Sequence, residues 1–362
     1  MKTGFDYSHV DELINARSLA EKFSGVVMIC QEGRQIFAKA CGYANRSWMV
    51  VNQLDTRFRI ASLSKMFTAV SILQLVDHGI LSLETGVVDL LELENSTVPK
   101  SVTIYHLLSM TSGIADWFDE SGDWEAGWEA LCRKYPIYLF RNNEDYLPLF
   151  IDEEPLAKVG EGYKYSGSSY ILLGLVVERL TGQTYFDYVR DNIFARLNMT
   201  RSDFIPLDGV HDEVAEGYIP ESDEDDNIVG WRKNIYSTTP EAAADGGATS
   251  TAADLCQFAK GLKDGALLSA EMTAQMFTPR VLQFPDKHRG YTWKYGYATM
   301  FLIDDQDQIV RFGHTGEEDG VSCRFYSYPG LDIDLVILGN LSWSSGDLGW
   351  DIHDILVSRT SG

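Results

Sequence analysis

Arg59-Ile60-Ala61-Ser62-Leu63-Ser64-Lys65 is followed by an apolar run from Met66 to Val76 that stops at Asp77-His78-Gly79. The run is too long for a strand and nearly free of charge, so it predicts a buried helix whose C′ residue is Gly79. Ser62 then stands at the N-terminus of that helix. Lys65, three residues on, shares its face and can reach the hydroxyl. Unpaired backbone N–H groups and the positive dipole end also favour a developing negative charge there. The spacing suits an activated serine, although it equally describes an N-cap serine beside a surface lysine.

The chain has 362 residues, 45% of them hydrophobic, enough for a large core in one large or two interleaved domains. Lys and Arg total 30 against 53 Asp and Glu, a net charge of -23 that would repel nucleic acid and anionic membrane surfaces. Both are excluded as partners. The five cysteines, Cys30, Cys41, Cys132, Cys256 and Cys323, are scattered without a Cys-x-x-Cys, which suggests buried thiols rather than a disulfide framework or a zinc site. Met1-Lys2-Thr3-Gly4-Phe5-Asp6 lacks the apolar core of a signal peptide, and no 18 consecutive apolar residues occur. The expectation is a soluble cytoplasmic protein, or a secreted one if a leader has been removed.

Val10 to Phe23 has helical spacing. Gly25 to Cys30 and Gln35 to Ala40, joined by Gln31-Glu32-Gly33-Arg34, read as a hairpin. Helical patterns dominate from about Ile80 to Thr238, among them Tyr105 to Ser109, Ser169 to Thr181 closed by Gly182, and Thr184 to Leu197 with a capping box from Thr184 to Asp187. A capped helix from Thr251 precedes strands at Tyr297 to Ile303, Gln308 to Phe312, Val321 to Tyr328 and Leu331 to Leu338, and a helix near Ile352 to Val357 closes the chain. Strict alternation in Leu331-Asp332-Ile333-Asp334-Leu335 predicts one solvated sheet face. Glu221 to Asp226 reads as a solvated loop, and Trp117, Trp124 and Trp128 as packing residues or the lining of a cleft. The pattern predicts an α+β fold, with one antiparallel sheet built from both termini, flanked by helices, and a mainly helical insertion. Residues 1–362 form a single unit, with one subdomain from 1–80 plus 245–362 and a helical one from 81–244.

Two further stretches complete the picture. Gly162-Tyr163-Lys164-Tyr165-Ser166-Gly167 puts Tyr165 on a loop before the Ser169 helix, and Phe312-Gly313-His314-Thr315-Gly316 follows a predicted strand. With Ser62-Leu63-Ser64-Lys65, Tyr165-Ser166-Gly167 and His314-Thr315-Gly316 in that order, the sequence resembles the penicillin-recognising serine hydrolases. These are class C β-lactamases, D-Ala-D-Ala carboxypeptidases and their esterase relatives, whose motifs are Ser-x-x-Lys, Tyr-x-Asn and Lys/His-Thr-Gly. The likeness extends through Leu107 to Gly113, Leu197 to Thr200, Gly246-Gly247 and Tyr295 to Tyr297, so it covers roughly Gly25 to Asn340. Lys2-Thr3-Gly4 and Tyr43-Ala44-Asn45 also fit two of the patterns, but they precede Ser62. Their order rules them out.

The resemblance implies a β-lactamase-like fold and a cofactor-free, metal-free serine hydrolase that forms an acyl-enzyme with a small ester, amide or peptide. It implies that Ser62 attacks a carbonyl while Lys65 and Tyr165 move its proton. His314, Thr315 and Gly316 would border the substrate, and the backbone N–H groups of Ser62 and Glu317 would form the oxyanion hole. The family's second-motif asparagine, which binds the substrate's amide and orients the lysine, is Gly167 here. That contact is lost unless Ser166 or Ser168 supplies it. Glu317, Glu318 and Asp319 should disfavour substrates bearing a carboxylate and raise the pKa of His314. The alternatives are a true β-lactamase or D-Ala-D-Ala carboxypeptidase and, from another class, a non-catalytic binding or sensor module. The oligomeric state is open.

Overall fold

The structure, a computed structural model, describes residues 7–120, 122–225 and 227–358. The readings of Met1 to Asp6 and of Asp226 lie outside the described residues. Gly25–Gln31 (β1) and Arg34–Cys41 (β2) form the expected hairpin. Glu32 and Gly33 close it with φ of 50° and 72°, the left-handed pair whose twist matches that of the strands.

Six more strands come from the C-terminal part. They are Val281–Leu282 (β3), Thr292–Tyr295 (β4), Met300–Ile303 (β5), Ile309–Glu318 (β6), Val321–Tyr328 (β7) and Ile333–Gly339 (β8). All pair antiparallel in the order β2-β1-β8-β7-β6-β5-β4-β3, with Gly25 of β1 opposite Gly339 of β8. The two ends of the chain therefore share one sheet, as the α+β reading expects. The strand expected from Tyr297 begins only at Met300, because Gly296 donates to Thr299 at 2.8 Å and Ala298 turns with φ 46°. Strand β6 does not end before His314; it runs through the whole third motif.

Both sheet faces are covered. Val27, Ile29, Ile333, Leu335 and Ile337 pack with Val10 and Ile14 of Ser8–Leu19 (α1) and with Ile352 and Leu356 of the C-terminal helix Gly346–Val357. Val26, Met28, Val336 and Leu338 face the larger core, which holds Lys65–Asp77 (α2) and Gly167–Thr181 (α3). Burying each such aliphatic side chain stabilises the fold by about 1.5–3 kcal/mol. The alternation at Leu331 to Leu335 thus does not mark a solvated face. Asp334 is buried and bonded to Ser327 and to Lys263 of Ala252–Lys263 (α4), so the polar position is a paired internal charge.

Helix α2 is buried from Lys65 to Leu75, and Gly79 follows it at φ 70° as expected. Ser166 caps α3, which ends at Gly182 with φ 69°. Within the stretch read as helical, Tyr218–Ser222 and Ile228–Lys233 form a hairpin. The acidic run read as a loop is therefore partly its first strand. Among the described residues, no helix is long and apolar enough to cross a membrane.

Candidate active site

Ser62 lies in a 3₁₀ turn, Ala61–Ser64, that runs directly into α2, so the α-helix proper begins at Lys65. Ala61 has φ 46°, a left-handed conformation that costs a non-glycine residue about 1–3 kcal/mol unless its surroundings hold it. Here they do. The Ala61 carbonyl accepts from Ser64 Oγ at 2.7 Å and from Gly247 N at 3.2 Å.

Lys65 is 1% exposed, and its Nζ donates to Ser62 Oγ at 3.0 Å and to the Asp245 carbonyl oxygen at 2.5 Å. Tyr165 precedes the cap of α3 and donates its O–H to Ser62 Oγ at 2.8 Å. The structure thus brings Ser62, Lys65 and Tyr165 together from segments about a hundred residues apart. Burial pushes the Tyr165 phenol well above its ordinary range, and the charge of Glu120 adds to this.

Strand β6 delivers the third motif. Thr315 and Glu317 line the cleft that holds Ser62, which has a volume of about 810 Å³, while His314 and Gly316 are fully enclosed. A β-carbon on Gly316 would stand 2.3 Å from the Ile60 carbonyl oxygen, so the glycine lets β6 approach the Ser62 turn. His314 departs from expectation. Its Nδ1 lies 2.6 Å from the Thr315 carbonyl, which can only accept, so Nδ1 carries the proton and Nε2 receives the Tyr295 hydroxyl at 3.1 Å. Burial lowers its pKa to about 3 rather than raising it. The histidine is neutral.

The acidic residues after the motif also differ from expectation. Glu317 pairs with Arg324 and accepts from Ser322, and Glu318 pairs with Arg59 at 2.5 Å and accepts from Thr238 at 2.9 Å. Two of the three carboxylates are thus offset by arginines that the linear sequence does not associate with them. Asp319, in the turn after β6, has its pKa raised by burial.

Several residues near Ser62 escaped the motif search. Asp116 lines the cleft and accepts from Gly167 N and Ser168 N, both at 3.0 Å, at the start of α3. Burial outweighs those two bonds and lifts its pKa to about 6. Asp245, directly before Gly246-Gly247, supplies the carbonyl that holds Lys65. Of the tryptophans, Trp124 lines the cleft, Trp128 is buried with its indole on the Tyr236 carbonyl, and Trp117 bonds to Asp245. Neither serine stands in for the missing asparagine, since Ser166 Oγ caps Ser169 N and Ser168 Oγ is bonded to Asp116.

The Beta-lactamase family model matches residues 10–351. Penicillin-binding protein 4 of Amycolatopsis lactamdurans is 27% identical over 356 residues, covering 93% of this chain and 86% of that protein. The crystal structure of a penicillin-binding protein from Bacillus halodurans superposes with a TM-score of 0.85 at 33% identity, over 96% of this chain and 100% of that one. An octameric penicillin-binding protein homologue from Pyrococcus abyssi follows at 0.82 and 25%, covering 99% of this chain and 78% of its own. By the extent of the match and by its fold, this chain belongs to the Beta-lactamase family.

Proposed function

We propose that the chain is a serine hydrolase that forms an acyl-enzyme on Ser62 and acts on a small ester, amide or peptide lacking a carboxylate near the scissile bond. The observation that carries this reading is the Ser62 hydroxyl, held between Lys65 Nζ at 3.0 Å and Tyr165 O–H at 2.8 Å in an open cleft. Because the Tyr165 phenol is strongly held in its protonated form, Lys65 is the group that takes the Ser62 proton as Oγ bonds to the carbonyl carbon. Tyr165 then gives its proton to the leaving group as the scissile bond breaks, and Lys65 restores it. Water adds to the acyl ester in the second half, releasing the acid and regenerating Ser62. The backbone N–H groups of Ser62 and Glu317 receive the oxyanion, a role that the contact between Gly316 and Ile60 supports. The scheme calls for no cofactor. Substrate enters between the sheet portion, which supplies Ser62, Met300 and Thr315, and the 81–244 portion, which supplies Asp116, Trp124 and Tyr163.

Charge supports the substrate class. Asp116, Asp119, Glu120, Glu153 and Glu154 line the cleft against Lys164, Glu317 being offset by Arg324. The nearby Arg59 and Arg324 are already paired with glutamates, and His314 is neutral. Binding of a carboxylate is therefore disfavoured. The second reading, a β-lactamase or D-Ala-D-Ala carboxypeptidase, is favoured by the relatives named penicillin-binding proteins. Intact mass after incubation with a p-nitrophenyl ester, a serine-directed phosphonate and a fluorescent penicillin separates the two. The expected result is one phosphonate adduct and ester turnover, both lost in Ser62→Ala, with little penicillin adduct. An adduct that survives in Ser62→Ala would end the assignment, and rapid stoichiometric penicillin labelling would favour the second reading.

A further inference from the structure

We infer that Trp117 and Asp245 form a positioning pair that aims Lys65 at Ser62, and that residue 167 is glycine because this pair occupies the space its side chain would need. The inference deepens the reading above and rests on Lys65 being the proton acceptor. Among the described residues Lys65 Nζ donates to Ser62 Oγ and to the Asp245 carbonyl, and it lies 4.9 and 5.8 Å from the ring centroids of Tyr165 and Tyr170. The Asp245 carbonyl, at 2.5 Å, is the fixed one of the two acceptors, since Ser62 Oγ must leave to react. Wherever that carbonyl sits, the amine follows.

The position of Asp245 is set from several sides. Ala243 and Gly246 exchange backbone bonds of 2.9 and 3.2 Å across it, and Ala244 N donates to Asn143 Oδ1 at 2.9 Å. Its own side chain is tied by the Trp117 indole, whose Nε1 donates to Asp245 Oδ2 at 2.9 Å. The indole is braced edge-on by Tyr146, with ring centroids 5.1 Å apart. This indole–carboxylate bond passes directly over Gly167. A β-carbon there would come within 2.6 Å of both Asp245 Oδ2 and Trp117 Nε1, closer than real β-carbons approach anything. A side chain on residue 167 and the Trp117–Asp245 bond are thus mutually exclusive, and the chain has the second.

Ser62 Oγ is hydrogen-bonded to Lys65 and Tyr165 and not to the side chains of Trp117 or Asp245, so the effect of this pair on the hydroxyl travels through Lys65. The experiment is single-turnover acylation by a p-nitrophenyl ester in Trp117→Phe, Asp245→Ala, Asp245→Asn and the Trp117→Phe/Asp245→Ala double variant. Trp117→Phe keeps an aromatic ring and removes the donor. It should lower the acylation rate roughly tenfold through misplacement of the amine, with KM within about twofold. Asp245→Ala should match it, and the double variant should be no worse than either single one, because both remove the same bond. Asp245→Asn keeps an acceptor for the indole and should retain most of the rate. The inference is overturned if Trp117→Phe acylates at the wild-type rate, if Asp245→Asn falls as far as Asp245→Ala, or if the losses track a fall in Tm and move KM equally. A wild-type protein that takes no phosphonate on Ser62 would instead overturn the hydrolase reading itself.

Discussion

Gly316 lies so close to Ile60 that a β-carbon on the glycine would stand 2.3 Å from the Ile60 carbonyl oxygen. Strand β6 and the turn carrying Ser62 are therefore packed backbone against backbone. Gly316→Ala must force them apart, and a displacement near 1 Å at a reacting centre costs roughly a hundredfold in rate. The expected outcome is a loss of ester acylation of about that size in a protein that still folds, read by single-turnover kinetics with a thermal melt as control. An alanine variant that acylates normally would show that this contact does not hold the site.

Lys65 and Tyr165 should be separable by leaving group. Lys65→Met removes the proposed proton acceptor and should slow acylation by any substrate by roughly 10²–10⁴. Tyr165→Phe removes the group proposed to protonate the departing atom. A p-nitrophenolate leaves without a proton and an amine does not, so the phenylalanine variant should lose far more activity on an amide than on a p-nitrophenyl ester. Equal losses on the two substrates would count against this division of labour.

The cleft should read substrate charge in a pH-dependent way. Burial raises Asp116 to about 6 and Glu120 to about 7, so both ionise as pH rises from 5 to 8. The ratio of kcat/KM for an ester bearing a quaternary ammonium to that for a neutral ester should therefore rise over this range. Glu120→Gln should remove the upper part of the rise. The sign for stability is opposite. A carboxylate raised in the folded state binds its proton more tightly there than in the unfolded chain. The contribution of Asp116 is thus full below the unfolded pKa of about 3.9 and is lost as pH climbs through about 6. A flat ratio would show that neither carboxylate faces the substrate's charge.

His314 should take no part in that titration. With its pKa near 3 and both ring nitrogens bonded inside the protein, it stays neutral at every pH at which an ester assay is practical. His314→Gln should leave the slope of the charge ratio unchanged. His314→Lys places a cation where, among the described residues, no carboxylate pairs with His314, and should destabilise the fold by about 3–5 kcal/mol, seen as a lower denaturation midpoint. A changed slope in the glutamine variant would return His314 to the substrate.

The parts of the fold legible in the sequence are those that local chemistry decides. Helix α2 ends at Gly79 because a left-handed residue is needed there, and the β1–β2 hairpin is announced by Glu32-Gly33. Motif order picks out Ser62, Lys65 and Tyr165 as candidates, and in the structure Lys65 Nζ and the Tyr165 hydroxyl each lie within 3.0 Å of Ser62 Oγ. What could not be read were pairings made across the fold. Asp334 looks solvated until Lys263 is placed beside it, and Glu318 looks like a free charge until Arg59 arrives from 259 residues away. Gly167 looked like a lost contact, and only the approach of Trp117 and Asp245 shows the space to be filled.

The adjacency of β1 and β8 sets a timetable for this molecule. Gly25 pairs with Gly339, so the second and third strands across the sheet are separated by some three hundred residues in the chain. Such non-local closure is slow, because the intervening loop must lose its entropy before the contact repays it. On a ribosome, β6, which borders Ser62, is made only after about 250 further residues have followed it. Ser62 therefore waits through that interval without its cleft. A product that stops before β6 carries Ser62 without the strands that shape its site.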